Sequence, residues 1–248
     1  MPLPIALQMY TVRDAMADDA DAGFAQVAEI GFKHVELAGL YGHTAAEIKA
    51  LLDKHGLTAL GGHVGYATDP DALPPAVADA KTLGYTFLAQ PFWPQDRRSA
   101  AGYAEVVAAA EAAAKAHPDL RFGYHNHDFE FETVDGDRTA YDVLFDDTDL
   151  LAQMDVAWVC VGGHDPLAWL DKLKGRVPAL HMKDAKYKAG NTQLCEAGTG
   201  DVDLPAIAKA APAAGVEYLV VEQDNSWIDN DPIKSAKISL DYLQSIIP

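Results

Sequence analysis

Eight times along the chain a short apolar run gives way to a segment with helical spacing, and this alternation restricts the fold more than any other property of the sequence. Apolar runs of four to nine residues predict strands over Ile5–Tyr10, His34–Ala38, Thr58–Val64, Tyr85–Gln90, the run that starts at Arg121, Leu150–Trp158, Val177–Met182 and Tyr218–Glu222. Between them, spacing and composition predict helices over Asp19–Ile30, Ala45–His55, Pro74–Leu83, Ala100–His117, Thr139–Phe145, Pro166–Leu173, Pro205–Ala214 and Pro232–Ile247. The punctuation agrees: Thr44 is placed as an N-cap, and Gly31, Gly56, Gly84 and Gly215 each stand where a helix must stop. Val134–Asp137 reads as a turn.

Strands that alternate with helices form a parallel sheet, because each crossover needs a helix to return the chain to the same edge. Eight such units in 248 residues predict an α/β fold of one (β/α)8 TIM barrel, with residues 1–248 as a single domain. The Gly-x-Gly-x-x-Gly fingerprint of a dinucleotide-binding sheet is absent after the first strand. A formal charge of −18 repels phosphate backbones and anionic lipid, so neither nucleic acid nor a membrane is expected as a partner. Cys160 and Cys195 are the only cysteines and have no Cys-x-x-Cys spacing. With an N-terminus that reads as a strand rather than a signal sequence, they predict a cytoplasmic protein. Short loops, particularly after the third strand, predict an open pocket without a large lid.

In such a barrel the C-terminal strand ends converge on one mouth. The residues there include Glu36, His63, Gln90, His125, His127, Asp155, His181, Lys183 and Glu222, with Gln8 and Tyr10 as weaker candidates. Asp155, His181 and Glu222 each terminate an apolar run, and burying such groups unpaired costs several kcal/mol apiece. They are expected to pair with one another, with water or with a cation. Mixed imidazole and carboxylate donors suit Mn2+, Zn2+, Co2+ or Fe2+, and a carboxylate-rich set also accepts Mg2+. One mononuclear site is the economical reading. Gly198-Thr-Gly-Asp201 is glycine-rich, but its aspartates favour a tight turn over a phosphate site.

Five segments together resemble a known family. Phe122-Gly-Tyr-His-Asn-His-Asp-Phe-Glu-Phe131, Met154-Asp-Val-Ala-Trp-Val159 with Gly162-Gly-His-Asp-Pro166, Leu180-His-Met-Lys-Asp184, Gly198-Thr-Gly-Asp-Val-Asp203 and Val220-Val-Glu-Gln-Asp224 resemble the sugar phosphate isomerase/epimerase family of xylose isomerase-like TIM barrels. The resemblance implies one divalent metal, Mn2+ or Mg2+ first, on a sugar or keto-sugar. It assigns Asp155, His181 and Glu222 as ligands and puts His125 where ketose epimerases of the superfamily carry a glutamate. The full assignment is His125, Asp155, His181 and Glu222 for metal, and His127, Glu222 and Lys183 for catalysis. Glu36, His63, Gln90 and Trp158 are assigned to the sugar.

The expected reaction is isomerisation or epimerisation by proton abstraction beside a metal-polarised carbonyl. A lyase or hydratase on 3-keto-sugars or polyol-derived ketones is the alternative, since it begins with the same step. An apurinic endonuclease-like hydrolase would need a multinuclear zinc site and a DNA-compatible face. A non-catalytic sugar-binding barrel would have no need of the polar strand ends. A homo-oligomer is compatible with the resemblance.

Overall fold

The computed structural model describes residues 2–247 and shows a closed parallel barrel of eight strands. They are β1 Ile5–Gln8, β2 His34–Leu37, β3 Thr58–His63, β4 Phe87–Gln90, β5 Arg121–His125, β6 Leu151–Asp155, β7 Ala179–His181 and β8 Tyr218–Val221. Each lies beside its neighbours in sequence, and β8 closes on β1 with Ala6 opposite Val220.

Two apolar clusters account for the layers. Ala6, Phe87, Ala89, Ala179, Tyr218 and Val220 pack inside the barrel, whereas Leu7, Val35, Leu88, Phe122, Leu180, Leu219 and Val221 belong to the larger core under the helices. Successive strand side chains point to opposite faces, so this partition fixes the parity of every strand. Glu36, Gln8, Gln153, His181 and Glu222 fall on the inward parity. Gln90, one residue beyond inward-facing Ala89, falls on the outward one. Gly123 is small because a Cβ there would lie 2.7 Å from the Phe87 ring, which fills the lumen.

The helices follow from their ends. Ala45–His55 starts at a capping box between Thr44 and Glu47 and stops at Gly56, where φ is +66°. Ala100–Ala116 starts at Ser99, whose hydroxyl accepts from the Gly102 N–H.

The structure departs from the sequence reading at four places. Strand one stops at Gln8 and passes through a 3-10 turn, Met9–Val12, into an unexpected helix Arg13–Asp18. The run expected as strand through Trp158 breaks at Asp155, and Val156–Val161 is helix. Its apolar residues are buried in either conformation, so periodicity does not separate the two. The Val134–Asp137 turn is the tip of a small hairpin, Thr133–Asp135 with Arg138–Thr139. A second hairpin, Asp184–Lys186 with Gln193–Cys195, is inserted after β7. No helix among the described residues is long and apolar enough to cross a membrane.

Candidate active site

Asp155 illustrates how the local fold makes the site. As the last residue of β6 it also caps the helix that follows, its Oδ1 accepting from the N–H groups of Ala157 and Trp158 at 3.0 and 3.1 Å. Its other oxygen, Oδ2, is buried and has no hydrogen-bond partner, although Lys183 Nζ lies 3.0 Å away. Asn126 clamps this strand end to β5: its Oδ1 accepts from the Asp155 N–H at 3.0 Å and its Nδ2 donates to the Asp155 carbonyl at 3.3 Å. Burial raises the Asp155 carboxyl to about 6, with Lys183 only partly offsetting it.

His181, at the end of β7, stands between two carboxylates. Its Nδ1 is 2.9 Å from Glu222 Oε2 and its Nε2 is 2.8 Å from Glu36 Oε1. Burial opposes its charge, but Glu36 and Glu222 outweigh burial and raise it to about 10. Glu222 is correspondingly held well below the usual carboxylate range: Lys183 and His181 overcome the effect of burial. His125, at the end of β5, is fully buried, and its Nδ1 has no partner. Burial, reinforced by neighbouring His181, holds it well below the ordinary imidazole value, so it is neutral.

One atom from each of His125, Asp155, His181 and Glu222 can be chosen so that all four lie within 4.8 Å of one another. His63, His125 and His181 form a second, overlapping group by the same measure. The first set fits a divalent cation: it offers two imidazoles and two carboxylates, and its buried polar atoms include the unpartnered Nδ1 of His125 and the Oδ2 of Asp155, which faces only the Lys183 ammonium. Glu36 behind His181 completes the carboxylate–histidine arrangement that orients a metal-bound imidazole.

Above this floor lies a cavity of about 620 Å³ whose lining includes Tyr10, His63, Phe92, His125, His127, Lys183, Glu222 and Asp224. His127 lies parallel to Phe129 at 5.2 Å, and burial, with Lys183 nearby, lowers it to about 3, so its ring is uncharged at neutral pH. Lys183 is buried with Nζ 2.9–3.0 Å from Asp155, Glu222 and Asp224. Those three carboxylates outweigh burial and hold the ammonium charged.

Three residues expected to touch the sugar stand elsewhere. Glu36 is wholly buried below the cavity, and besides His181 it accepts from Gln8 Nε2 and Gln153 Nε2, both at 2.7 Å. Gln90, on the outward parity, braces two loops: its Oε1 accepts from the Ala67 N–H at 2.9 Å and its Nε2 donates to the Phe92 carbonyl at 2.8 Å. Trp158 stands behind the lining, its ring 5.4 Å from Lys183 Nζ and 5.9 Å from the His127 ring. His63 does line the cavity, held by Gln153 Oε1 at 2.6 Å. The sequence reading missed Asp224 and Glu130. Asp224 was findable, since it lies two residues past Glu222 on the same parity. Glu130 was not, because it lies in a 3-10 turn, Phe129–Phe131, that no periodicity announces.

Residues 24–246 match the family described as Xylose isomerase-like TIM barrel. The chain belongs to that family. Among solved structures, a sugar phosphate isomerase/epimerase from Parabacteroides distasonis superposes on this xylose isomerase-like barrel with a TM-score of 0.80 at 23% identity, covering 97% of both chains. An AP endonuclease, family 2, from Brucella melitensis gives 0.75 at 14% identity over 100% of both. D-allulose 3-epimerase from Methylomonas sp. in complex with D-allulose gives 0.69 at 16% identity, covering 99% of this chain and 97% of that one. Identities this low carry the fold alone. No curated protein matches the chain at a significant level.

Proposed function

We propose that this barrel is a divalent-metal-dependent isomerase or epimerase that removes a proton beside the carbonyl of a sugar or keto-sugar. The observation that carries the reading is the convergence of His125, Asp155, His181 and Glu222 within 4.8 Å of one another beside a cavity that His125 and Glu222 line, with His125 Nδ1 buried and unpartnered. His125, Asp155, His181 and Glu222 would hold the ion, and Mn2+ or Mg2+ suits the carboxylates. When bound, such an ion polarises a carbonyl and lowers the cost of negative charge on the adjacent carbon.

The chain's own groups handle the proton. Glu222 is ionised and His127 is neutral, so each has a free lone pair in its resting state, and both line the cavity as the candidate bases. His127 is fixed in orientation by parallel Phe129 and by the edge of Phe92 at 5.8 Å. Lys183 stays charged beside the same space, where its charge favours a developing oxyanion while its ammonium remains engaged by Asp155, Glu222 and Asp224. Return of the proton to the opposite face gives epimerisation, and return to the neighbouring carbon gives isomerisation. The D-allulose bound by the Methylomonas epimerase supports a ketose as the ligand class. The charge of −18 opposes a DNA substrate.

The test is manganese loading, exhaustive gel filtration and elemental analysis, followed by incubation with ketoses in D2O. Close to one metal per chain, almost none in His181→Ala, and deuterium entering the carbon beside the carbonyl are expected. A chain that retains no metal and washes no deuterium into any ketose would sink the reading.

A further inference from the structure

The cations around the cavity are already engaged by the chain itself. Lys183 Nζ is shared among three carboxylates at 2.9–3.0 Å. The Arg13 guanidinium donates to the carbonyls of Tyr10 at 2.9 Å and Asp224 at 3.1 Å. Arg98 donates through Nε to the Trp93 carbonyl at 3.2 Å, and its guanidinium carbon lies 3.2 Å from the centre of the Phe129 ring.

Backbone N–H groups of the segments after β7 and β8 are likewise bonded to carboxylates of the chain itself. In phosphate-binding barrels the loops after the seventh and eighth strands supply free N–H groups. Here the glycine-rich segment after β7 turns its N–H groups onto Asp184: Gly198 and Gly200 both donate to Oδ2 at 2.9 Å, and Val202 donates to Oδ1 at 3.2 Å. A Cβ on Gly200 would lie 2.2 Å from Asp184 Oδ1, so the glycine is there to admit that carboxylate. After β8, the helix Pro232–Ile246 opens on a proline and is capped by Asp231, which accepts from the Lys234 N–H at 3.0 Å. A phosphate brought to this mouth would meet carboxylates.

The mouth instead presents aromatic surface. Among the described residues four large apolar side chains are at least 36% exposed, and two of them, Tyr10 at 44% and Phe92 at 46%, line this one cavity. Tyr10 follows β1 and Phe92 follows β4, three strands apart round a ring of eight, so they line different sides of the opening. A guanidinium backs each ring, Arg13 at 4.3 Å on Tyr10 and Arg98 at 5.4 Å on Phe92, which makes them fixed platforms rather than loose surface. A hexose of about a dozen non-hydrogen atoms fills at most about 360 Å³ even at the ~30 Å³ share of a liquid water. The cavity, about 620 Å³, exceeds one ring and falls short of the roughly 690 Å³ that the ~23 non-hydrogen atoms of a two-ring sugar would at most fill, which leaves part of a second ring outside at the mouth.

We infer that the site takes an uncharged, unphosphorylated sugar of two rings, the reacting ring on the His125–Glu222 floor and the second ring held at the mouth between Tyr10 and Phe92. This rests on the proposed function and narrows its substrate. Calorimetric titration of the manganese-loaded protein with D-fructose, D-fructose 6-phosphate and lactulose, a galactosyl-fructose, tests it in wild type, Tyr10→Ala and Phe92→Ala. Lactulose is expected to bind about tenfold tighter than fructose, with the gain lost in either variant, and the phosphate ester about tenfold weaker. Both aromatics are exposed, and unchanged thermal melts establish that the variants fold.

Tightest binding of fructose 6-phosphate, no advantage for lactulose, or an advantage that survives both substitutions would each overturn the inference while leaving a sugar enzyme. No binding of any of the three by a chain that holds its manganese would overturn the sugar reading and this inference with it.

Discussion

Glu130→Gln isolates one buried carboxyl and predicts a pH-dependent gain in stability. Glu130 has no exposure; its Oε1 accepts from the Tyr124 hydroxyl at 2.5 Å and its Oε2 accepts from the His127 N–H at 2.7 Å. Burial raises it from 4.5 to about 8, the bonds from Tyr124 and His127 offsetting only part of that. The folded chain therefore keeps a proton there that the unfolded chain releases above about pH 4.5. Folding loses stability as pH rises from the unfolded value to the folded one, at about 1.4 kcal/mol per pH unit and on the order of 4–5 kcal/mol across the window. Glutamine is neutral in both states, can still accept from the His127 N–H, and can donate its amide to the Tyr124 oxygen. Exchanging the Tyr124 bond costs about 1 kcal/mol at every pH. Urea unfolding at pH 5, 6.5 and 8 should find Glu130→Gln close to wild type at pH 5 and several kcal/mol more stable at pH 8. A stability difference that does not change with pH would refute the reasoning, since it would mean that Glu130 ionises in the fold as readily as in water.

Three further outcomes follow from contacts already described. Glu36→Gln removes the charge that holds His181 Nε2, and manganese affinity measured by titration should fall about 10- to 100-fold while the barrel, which keeps its Gln8 and Gln153 neighbours, stays folded. Asp155→Asn keeps an oxygen for the cap at Ala157 and Trp158 but removes a carboxylate from the floor and sets an amide against the buried Lys183 ammonium, so metal retention should be lost and the thermal melt should fall. Gly200→Ala forces a methyl to within 2.2 Å of Asp184 Oδ1 and 2.7 Å of the Ala185 carbonyl, and should cost about 1–3 kcal/mol in urea unfolding. An unchanged Gly200→Ala midpoint would show that Asp184 is free to move away.

The barrel was legible because its signals are local and redundant. Each strand had to be apolar on both faces to sit under helices, and Gly56, Gly84 and Gly215 stop their helices in the left-handed conformation that glycine alone adopts without strain. What escaped was structure in which two conformations bury the same residues equally well. Val156–Val161 resumes the apolar run directly after Asp155, and the hydrogen bonds from Ala157 and Trp158 to Asp155 Oδ1 open a helix there. The hairpin Asp184–Lys186 with Gln193–Cys195 escaped for a different reason: it is organised by Asp184 accepting four backbone N–H groups, from Ala185, Gly198, Gly200 and Val202, a long-range arrangement with no sequence period.

At the site, parity decided which candidates met. Asp155, His181 and Glu222 each fall an even number of residues from an inward-facing apolar side chain, Leu151, Ala179 and Val220 respectively, and all three reach the floor. Gln90 falls an odd number from Ala89 and serves the loops outside. Lys183 is two residues past His181 and Asp224 two past Glu222, which is why an ammonium and a further carboxylate enter the same cavity. Strand-end position alone nominated Gln90 and passed over Asp224. The inward alternation, anchored on the small residues that fill the lumen, separates the residues of the barrel interior, among which Glu36, Gln8 and Gln153 brace the site from below, from those that serve the loops outside.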